Sequence, residues 1–127
     1  MNLLTKHSRV ILMMTLTLLT SLGLFAQVDV TATGGTATAS YTNLKAAFDA
    51  INSGTHTDVI QINITGTATE TVTASLNASG SGSASYTGVT INPVGNAVVT
   101  GTIAGGALLE LNGADNVVID GLNSGGQ

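Results

Sequence analysis

Alternating apolar and polar residues predict strands along most of the chain. The stretch from Leu108 to Leu122 shows this well, because Leu109 and Leu111 alternate with polar neighbours. After a turn rich in Gly, Asn and Asp, Val117 and Ile119 repeat the alternation. A period of two residues is typical of a strand with one buried face. The two strands could form a hairpin, but similar units recur upstream. We therefore predict a repetitive sheet that coils around a core.

The same period predicts further strands upstream. The clearest runs from Asp58 to Thr65, where three isoleucines share one face. Shorter runs have their apolar positions at Val72, Ala74 and Leu76, at Val89 and Ile91, and from Val98 to Ile103, with Gly105-Gly106 as the following turn. Residues 77–87 are rich in Gly, Ser and Ala. There we expect a loop that projects from the body and carries Tyr86.

The segment from Val28 to Tyr41 is predicted to form a β-hairpin around Gly34-Gly35. A Gly-Gly loop suits the primed turns that match the twist of paired strands. In this register every apolar residue falls on one face. The pairs are Thr33 with Thr36, Ala32 with Ala37, Val30 with Ala39, and Val28 with Tyr41. The alternative is a flexible low-complexity arm, because an isolated hairpin is marginally stable in water.

One amphipathic helix is predicted from Thr42 to Asn52, with Thr42 as its N-cap. Apolar residues recur at helical spacing at Leu44, Ala47, Phe48 and Ile51. Ser53-Gly54 then supplies the residue types that favour a helix C-terminus. A single short helix before a run of strands indicates a lid. It would cover the apolar end of the first layer of strands.

The first 26 residues have the three parts of a secretory signal peptide. Lys6 and Arg9 give a basic start, Val10 to Leu24 is apolar, and cleavage is predicted between Ala26 and Gln27. A transmembrane anchor is the alternative, but such anchors need an uncharged run of about 18 to 20 residues, and this run is shorter. The chain is thus divided into a signal peptide over 1–26 and one domain over 27–127. We expect a secreted, extracellular or cell-surface protein.

Charge and composition narrow the classes of function. Beyond residue 26, one lysine stands against seven acids, a formal charge of about −6. Nucleic acids and anionic membranes attract basic surfaces, so neither is an expected partner. The chain has no cysteine, which excludes disulfides and thiolate metal sites. Charged residues make up only 8% of the chain, and the abundance of Thr and Gly suits stacked strands with tight turns.

Several segments carry a resemblance to a known group of proteins. They are residues 41–56 (YTNLKAAFDAINSGTH), 60–66 (IQINITG), 76–82 (LNASGSG) and 111–121 (LNGADNVVIDG). The first two resemble the start of right-handed parallel β-helices of the pectate-lyase-like superfamily. Together, the four resemble N-terminal regions of large type IX-secreted bacterial surface proteins.

The resemblance implies an all-β fold. It would be a right-handed parallel β-helix of few coils, with an N-terminal β-hairpin and one short capping α-helix. Members of that group usually continue for many more coils. Residues 27–127 would then be the N-terminal capping region and first coils of an incomplete domain.

Enzymes of this β-helical kind cluster carboxylates near Arg or Lys, as calcium ligands or as an acid–base pair. The nearest pair here is Asp115 and Asp120, but an offset of five residues places them on opposite faces of an alternating strand. Roles in turns suit both better. No arginine follows Arg9, so an Arg-dependent lyase mechanism has no candidate residue. We therefore assign no catalytic, cofactor-binding or metal-binding residue and expect no cofactor.

Other positions are interpreted structurally. We expect His56 to be a solvated loop residue, Glu110 a solvated charge, and Asn112 a member of a ladder of stacked amides. Tyr86 is the one aromatic side chain expected to be exposed to a sugar ligand. Pairs of the form Thr-x-Thr raise the alternative of an ice-binding array, although Thr also simply favours strands. The pairs are Thr31/Thr33, Thr36/Thr38, Thr71/Thr73 and Thr100/Thr102.

These observations predict a secreted or cell-surface structural or adhesin-type module, a stalk or matrix scaffold without catalytic activity of its own. Its expected partners are its own C-terminal continuation and extracellular glycans or proteins. The alternative is the N-terminal portion of a polysaccharide lyase or glycoside hydrolase whose active coils lie beyond residue 127. Clustered Asp with Arg or Lys in the downstream sequence would favour the enzyme.

Overall fold

The computed structural model describes residues 25–121, so the predicted leader lies almost entirely outside the described residues. One helix and nine strands follow one another in the described chain. They are β1 (Val28–Gly35), β2 (Thr38–Tyr41), α1 (Leu44–Asn52), β3 (His56–Ile64), β4 (Thr67–Glu70), β5 (Ala74–Asn77), β6 (Tyr86–Pro93), β7 (Val98–Gly101), β8 (Leu109–Asn112) and β9 (Val117–Ile119).

The strands form one large sheet and two small ones. The large sheet has five strands in the order β2-β1-β3-β6-β9. Its first three strands pair in antiparallel fashion, whereas β3, β6 and β9 are parallel. The small sheets are the parallel pairs β4-β7 and β5-β8. Strands that follow one another along the chain from β3 onward therefore lie in different sheets.

The predicted all-β, right-handed parallel β-helix is wrong. The described chain is mostly β with one helix, its large sheet is mixed, and its strands form no closed or solenoid sheet. The alternation of apolar and polar residues is the same in parallel and antiparallel strands, so it could not fix the direction of pairing. Here the hairpin strand β1 pairs with β3 in antiparallel fashion, with a bulge between Ala32 and Gly34.

Strand register stacks apolar side chains into rows on the inner face of the large sheet. One such row joins Val30, Ile62 and Ile91, whose exposed fractions are 1%, 0% and 2%. Cross-strand neighbours on one face contact each other directly, so each row forms a continuous line of apolar contacts. The predicted inward positions of the isoleucine-rich strand are confirmed.

The predicted hairpin is also confirmed in its register. Val28 pairs with Tyr41 and Val30 with Ala39, and the Ala32 amide donates to the Ala37 carbonyl at 2.9 Å. The hairpin is held by more than its own turn, because β1 is sandwiched between β2 and β3. That second set of main-chain bonds removes the instability expected of an isolated hairpin.

The helix has the predicted buried face and end, but a different start. Its apolar residues are fully buried and it packs chiefly on β5. The N-cap is Asn43 rather than Thr42, because the Asn43 Oδ1 accepts from the Ala46 amide at 3.0 Å. After the C-cap Ser53, Gly54 takes a φ of +77°, which glycine adopts without strain.

Between residues 65 and 90 the structure differs from the prediction at three places. Val72 lies in the turn between β4 and β5 and is half-exposed, so it does not belong to the strand of Ala74 and Leu76. β4 itself was not predicted. Tyr86 begins β6 and is buried, where a projecting loop had been expected.

Within the described residues, no helix is long and apolar enough to cross a bilayer.

Replacing Phe48 with Ala should lower the free energy of unfolding by about 3 to 5 kcal/mol, because a fully buried aromatic side chain leaves a cavity. Urea unfolding followed by circular dichroism measures the change. Asp49→Ala is the matched control on the exposed face of the same helix, with an expected change below about 1 kcal/mol. Equal losses for the two variants would show that the helix does not pack on the strands.

Candidate functional site

The buried carboxylate of Glu70 holds the start of the helix against β4. Glu70 is only 1% exposed. Its Oε1 accepts from the Leu44 amide at 2.7 Å and its Oε2 accepts from the Lys45 amide at 3.2 Å. The first amides of a helix have no partner within the helix and favour negative charge. A side chain 26 residues further along the chain thus completes the helix N-terminus.

Asparagine side chains extend this attachment to both ends of the helix. Asn43 donates to the Thr69 carbonyl of β4 at 3.4 Å. At the other end, Asn52 donates to the Ser75 carbonyl and accepts from the Asn77 amide, both at 2.9 Å. We call Asn43, Asn52 and Glu70 the helix clip. Polar bonds to β4 and β5 bracket the apolar face of the helix and fix how it lies on the strands.

The predicted amide ladder at Asn112 is confirmed for one step. Asn112 pairs in register with Asn77 across the β5-β8 sheet. The Asn112 Nδ2 donates to the Asn77 Oδ1 at 3.0 Å. Because the Asn77 main chain is bonded to Asn52, the ladder continues from the helix clip to β8. These hydrogen bonds have a structural role, because they give partners to amide groups at the ends of β5 and β8.

His56 is not the solvated loop residue that was expected. It opens β3 and is 0% exposed. Its Nδ1 lies 2.6 Å from the Thr36 carbonyl oxygen, which can only accept, so Nδ1 carries the proton and donates. In the neutral ring Nε2 then accepts from the Tyr41 hydroxyl at 2.7 Å. The imidazole joins the hairpin loop to β2 and β3.

Tyr86 is not an exposed contact for sugar either. Its hydroxyl donates to the Asn77 carbonyl at 2.5 Å, and its main chain bonds the Ser79 hydroxyl. Burial raises the pKa of the Tyr86 phenol, the negative charge of Asp115 raises it further, and a hydrogen bond with Ser79 opposes them in part. Burial likewise raises the pKa of the Tyr41 phenol. Both phenols therefore favour their neutral form in the folded chain.

The carboxylates weighed for catalysis lie on the surface around the last strand. Asp115 lies in the loop before β9 and Asp120 directly follows it, and both are exposed, as is Glu110 on β8. Glu110 is thus the solvated charge that was expected. Within residues 25–121, no group of three His, Asp or Glu side chains lies close enough together to hold a metal ion.

The outer face of the large sheet carries polar, mostly uncharged rows. One row joins Thr38, Thr31, Gln61 and Thr90 in register. A second row joins Ser40, Asp29, Asn63 and Asn92. Side chains bond one another here, with Ser40 donating to Asp29 at 2.6 Å and Gln61 donating to Asn63 at 3.1 Å. The Thr-x-Thr pairs do not form one array, because Thr71 and Thr73 lie between β4 and β5, and Thr100 lies on β7.

Glu70 was missed by reasoning from the sequence, although a signal for it existed. In the segment Thr67-Ala-Thr-Glu70, the alternation places Glu70 on the same face as Ala68. Both prove buried. A charged residue at an inward strand position indicates a buried partner. The helix that supplies this partner is distant in sequence, so no local pattern could identify it.

Comparison of the chain with protein-family models, with curated proteins and with solved structures finds no match. The resemblance to pectate-lyase-like proteins and to type IX-secreted surface proteins therefore stays a prediction. What the site can do chemically is therefore inferred from its geometry alone.

Replacing Glu70 with Ala should lower the free energy of unfolding by about 2 to 4 kcal/mol, because two helix amides lose a charged acceptor. Glu70→Gln keeps the shape and one acceptor oxygen and should lose less. The matched control Glu110→Ala removes an exposed carboxylate and should change stability by no more than about 0.5 kcal/mol. Urea unfolding measures all three. Glu70→Ala and Glu110→Ala with equal stability would contradict the clip.

Stability should fall as the pH rises above about 10. Phenols in the unfolded chain ionise near that pH. The folded chain holds both phenols neutral to higher pH, since burial raises their pKa. Unfolding then releases protons, so alkali favours the unfolded state. Ultraviolet titration of tyrosinate, in native and in denatured protein, checks this. The native midpoints should lie higher, and coincident curves would show that both phenols are solvated.

Proposed function

We propose that the chain is an exported, non-catalytic structural or adhesin-type module of the cell surface or extracellular matrix. The observation that carries the proposal is the use of its buried polar side chains. Glu70 and His56 are the buried polar or charged residues of the described chain, and both are fully engaged in holding strands, loop and helix together. Groups placed in this way stiffen a scaffold, and each of their polar side-chain atoms already has a hydrogen-bond partner within the described chain.

The outer face of the large sheet supports a role in display or contact. Two of its rows carry hydroxyl and amide side chains in strand register, together with Asp29, which accepts from Ser40, and with the exposed Val118 at the end of one row. Such groups donate and accept hydrogen bonds without adding a strong electrostatic field, which suits neutral glycans or protein surfaces.

The leader motif supports export, and the scarcity of basic residues is evidence against nucleic acid as a partner. Partners would be extracellular glycans, proteins and the module's own C-terminal continuation.

Expression of the full chain in a bacterial host tests the proposal. Antibody against the chain should find it outside the cytoplasm, and N-terminal sequencing should begin at Gln27 because cleavage after Ala26 removes the leader. A product that keeps Met1 and stays in the cytoplasm would contradict export.

A second arm tests the absence of catalysis. The exported product is incubated with acidic and neutral polysaccharides, and chain cleavage is followed by reducing ends and by absorbance of unsaturated products. No turnover is expected. Turnover that is lost in Asp115→Asn, but kept in the control Asp49→Asn on the helix surface, would favour the polysaccharide-degrading alternative instead.

A further inference from the structure

The predicted cleavage point lies where the large sheet begins. Phe25 and Ala26 are exposed, Gln27 is half-buried, and Val28, the first residue of β1, is 0% exposed. The peptide bond between Ala26 and Gln27 is thus open to a peptidase, whereas the chain after it runs into the core. Cleavage at this bond makes Gln27 the first residue of the exported chain.

The main chain of Gln27 already belongs to the sheet. Its amide donates to the Tyr41 carbonyl at 2.9 Å, and its carbonyl accepts from the Thr65 amide at 2.8 Å. These two bonds tie the start of β1 to β2 and to the residue that follows β3. Chain termini are poorly ordered unless contacts of this kind hold them. Removal of Gln27 would break both bonds and leave the buried Val28 at the terminus.

The side chain of Gln27 is held from the leader side. Within the described residues its amide has one hydrogen-bond partner, the Phe25 carbonyl, which accepts from Nε2 at 3.1 Å. The Oε1 atom lies over Gly66, where a Cβ would collide with it. Cleavage after Ala26 removes Phe25 and so releases Nε2. The same cut creates a free α-amine, so a nucleophile and a carboxamide then lie on one residue.

We propose that the exported chain begins with pyroglutamate, a five-membered lactam that forms from Gln27 after the cleavage on which the proposed function, and with it this inference, rests. The uncharged α-amine attacks Cδ, a bond forms between the α-nitrogen and Cδ, and the bond between Cδ and Nε2 breaks. A proton moves from the α-nitrogen to Nε2, which leaves as ammonia. No oxidant, reductant or other reactant takes part. Because both groups belong to one residue, proximity favours the reaction.

The lactam keeps one of the two main-chain bonds and removes a charge. Ring closure leaves the Gln27 carbonyl unchanged, so the bond from Thr65 is retained. The ring takes the side of the nitrogen on which an open residue carries its amide hydrogen, as in proline, so the bond to the Tyr41 carbonyl is given up. An open α-amine is largely protonated at neutral pH, and a charge at a half-buried position loses hydration. The lactam is neutral.

The ring protects the first strand from trimming. Aminopeptidases act on a free α-amine, which the lactam lacks. From an open end they would remove Gln27 first, and with it the acceptor of the Thr65 amide. The modification therefore preserves the start of β1 in a protein that meets peptidases outside the cell.

Mass spectrometry of the exported product tests the proposal. Its intact mass and its N-terminal peptide should each be lower by one ammonia than those of a chain that begins with open Gln27. Sequencing by fragmentation reads residue 27 in either form, so cleavage and ring closure are measured separately. In a second arm, purified signal peptidase cuts the full chain in detergent, and loss of ammonia at neutral pH is followed over days. This arm does not depend on export.

Gln27→Asn is the matched control. Its side chain keeps the carboxamide but is one methylene shorter, so the same reaction would have to form a strained four-membered ring. The N-terminal residue of this variant should therefore stay open, and an aminopeptidase should remove it. The unmodified sequence should resist the same aminopeptidase until a pyroglutamate-specific peptidase removes the ring. Equal trimming of the two proteins would contradict the proposal.

The two arms separate this proposal from the proposed function. If the chain is exported, a product that begins with open Gln27, or at another residue, overturns the proposal while export stands. If the chain keeps its leader in the cytoplasm, the proposed function fails and the signal-peptidase arm decides. In that arm, loss of ammonia from Gln27 supports the proposal, and an open Gln27 or a cut at another bond overturns it.

Discussion

The Glu70 carboxylate is the contact on which the arrangement of helix and strands depends. A carboxylate is costly to bury unless it is fully hydrogen-bonded, and the first amides of a helix are costly to bury without acceptors. Here each group satisfies the other, with Leu44 and Lys45 as donors. Neither the helix nor β4 could be buried in its present place alone. The apolar face of the helix supplies contact area, and the clip determines where on the strands that face lies.

A similar logic governs the rest of the described interior. His56 donates to a main-chain carbonyl of the hairpin loop. Asn52 accepts from the Asn77 main-chain amide, at the residue of β5 where the asparagine ladder begins. In each case a side chain completes main-chain groups of a segment that is distant in sequence. Rows of apolar residues, such as Val30, Ile62 and Ile91, supply contact area between these hydrogen bonds. This use of polar side chains is the support for the structural role that we propose.

Periodicity alone predicted the inward residues of the long strands, the buried face of the helix and the register of the hairpin. These features are local, since each follows from neighbours within a few residues. It failed on the antiparallel pairing of the hairpin strand β1 with β3, because parallel and antiparallel strands share the same alternation. It also failed on His56, Tyr86 and Glu70. Their burial depends on partners that only the fold brings close, such as the helix amides for Glu70.

Native-state hydrogen exchange on the unmodified chain tests most directly whether the clip makes helix and strands one unit. Amides in α1, such as Phe48 and Ile51, should exchange with the same free energy and the same urea dependence as those of Ile60 and Ile62 in β3. That result would show that the helix opens only when the strands do. Exchange of the helix amides at a much lower free energy, with the β3 amides still protected, would contradict the account.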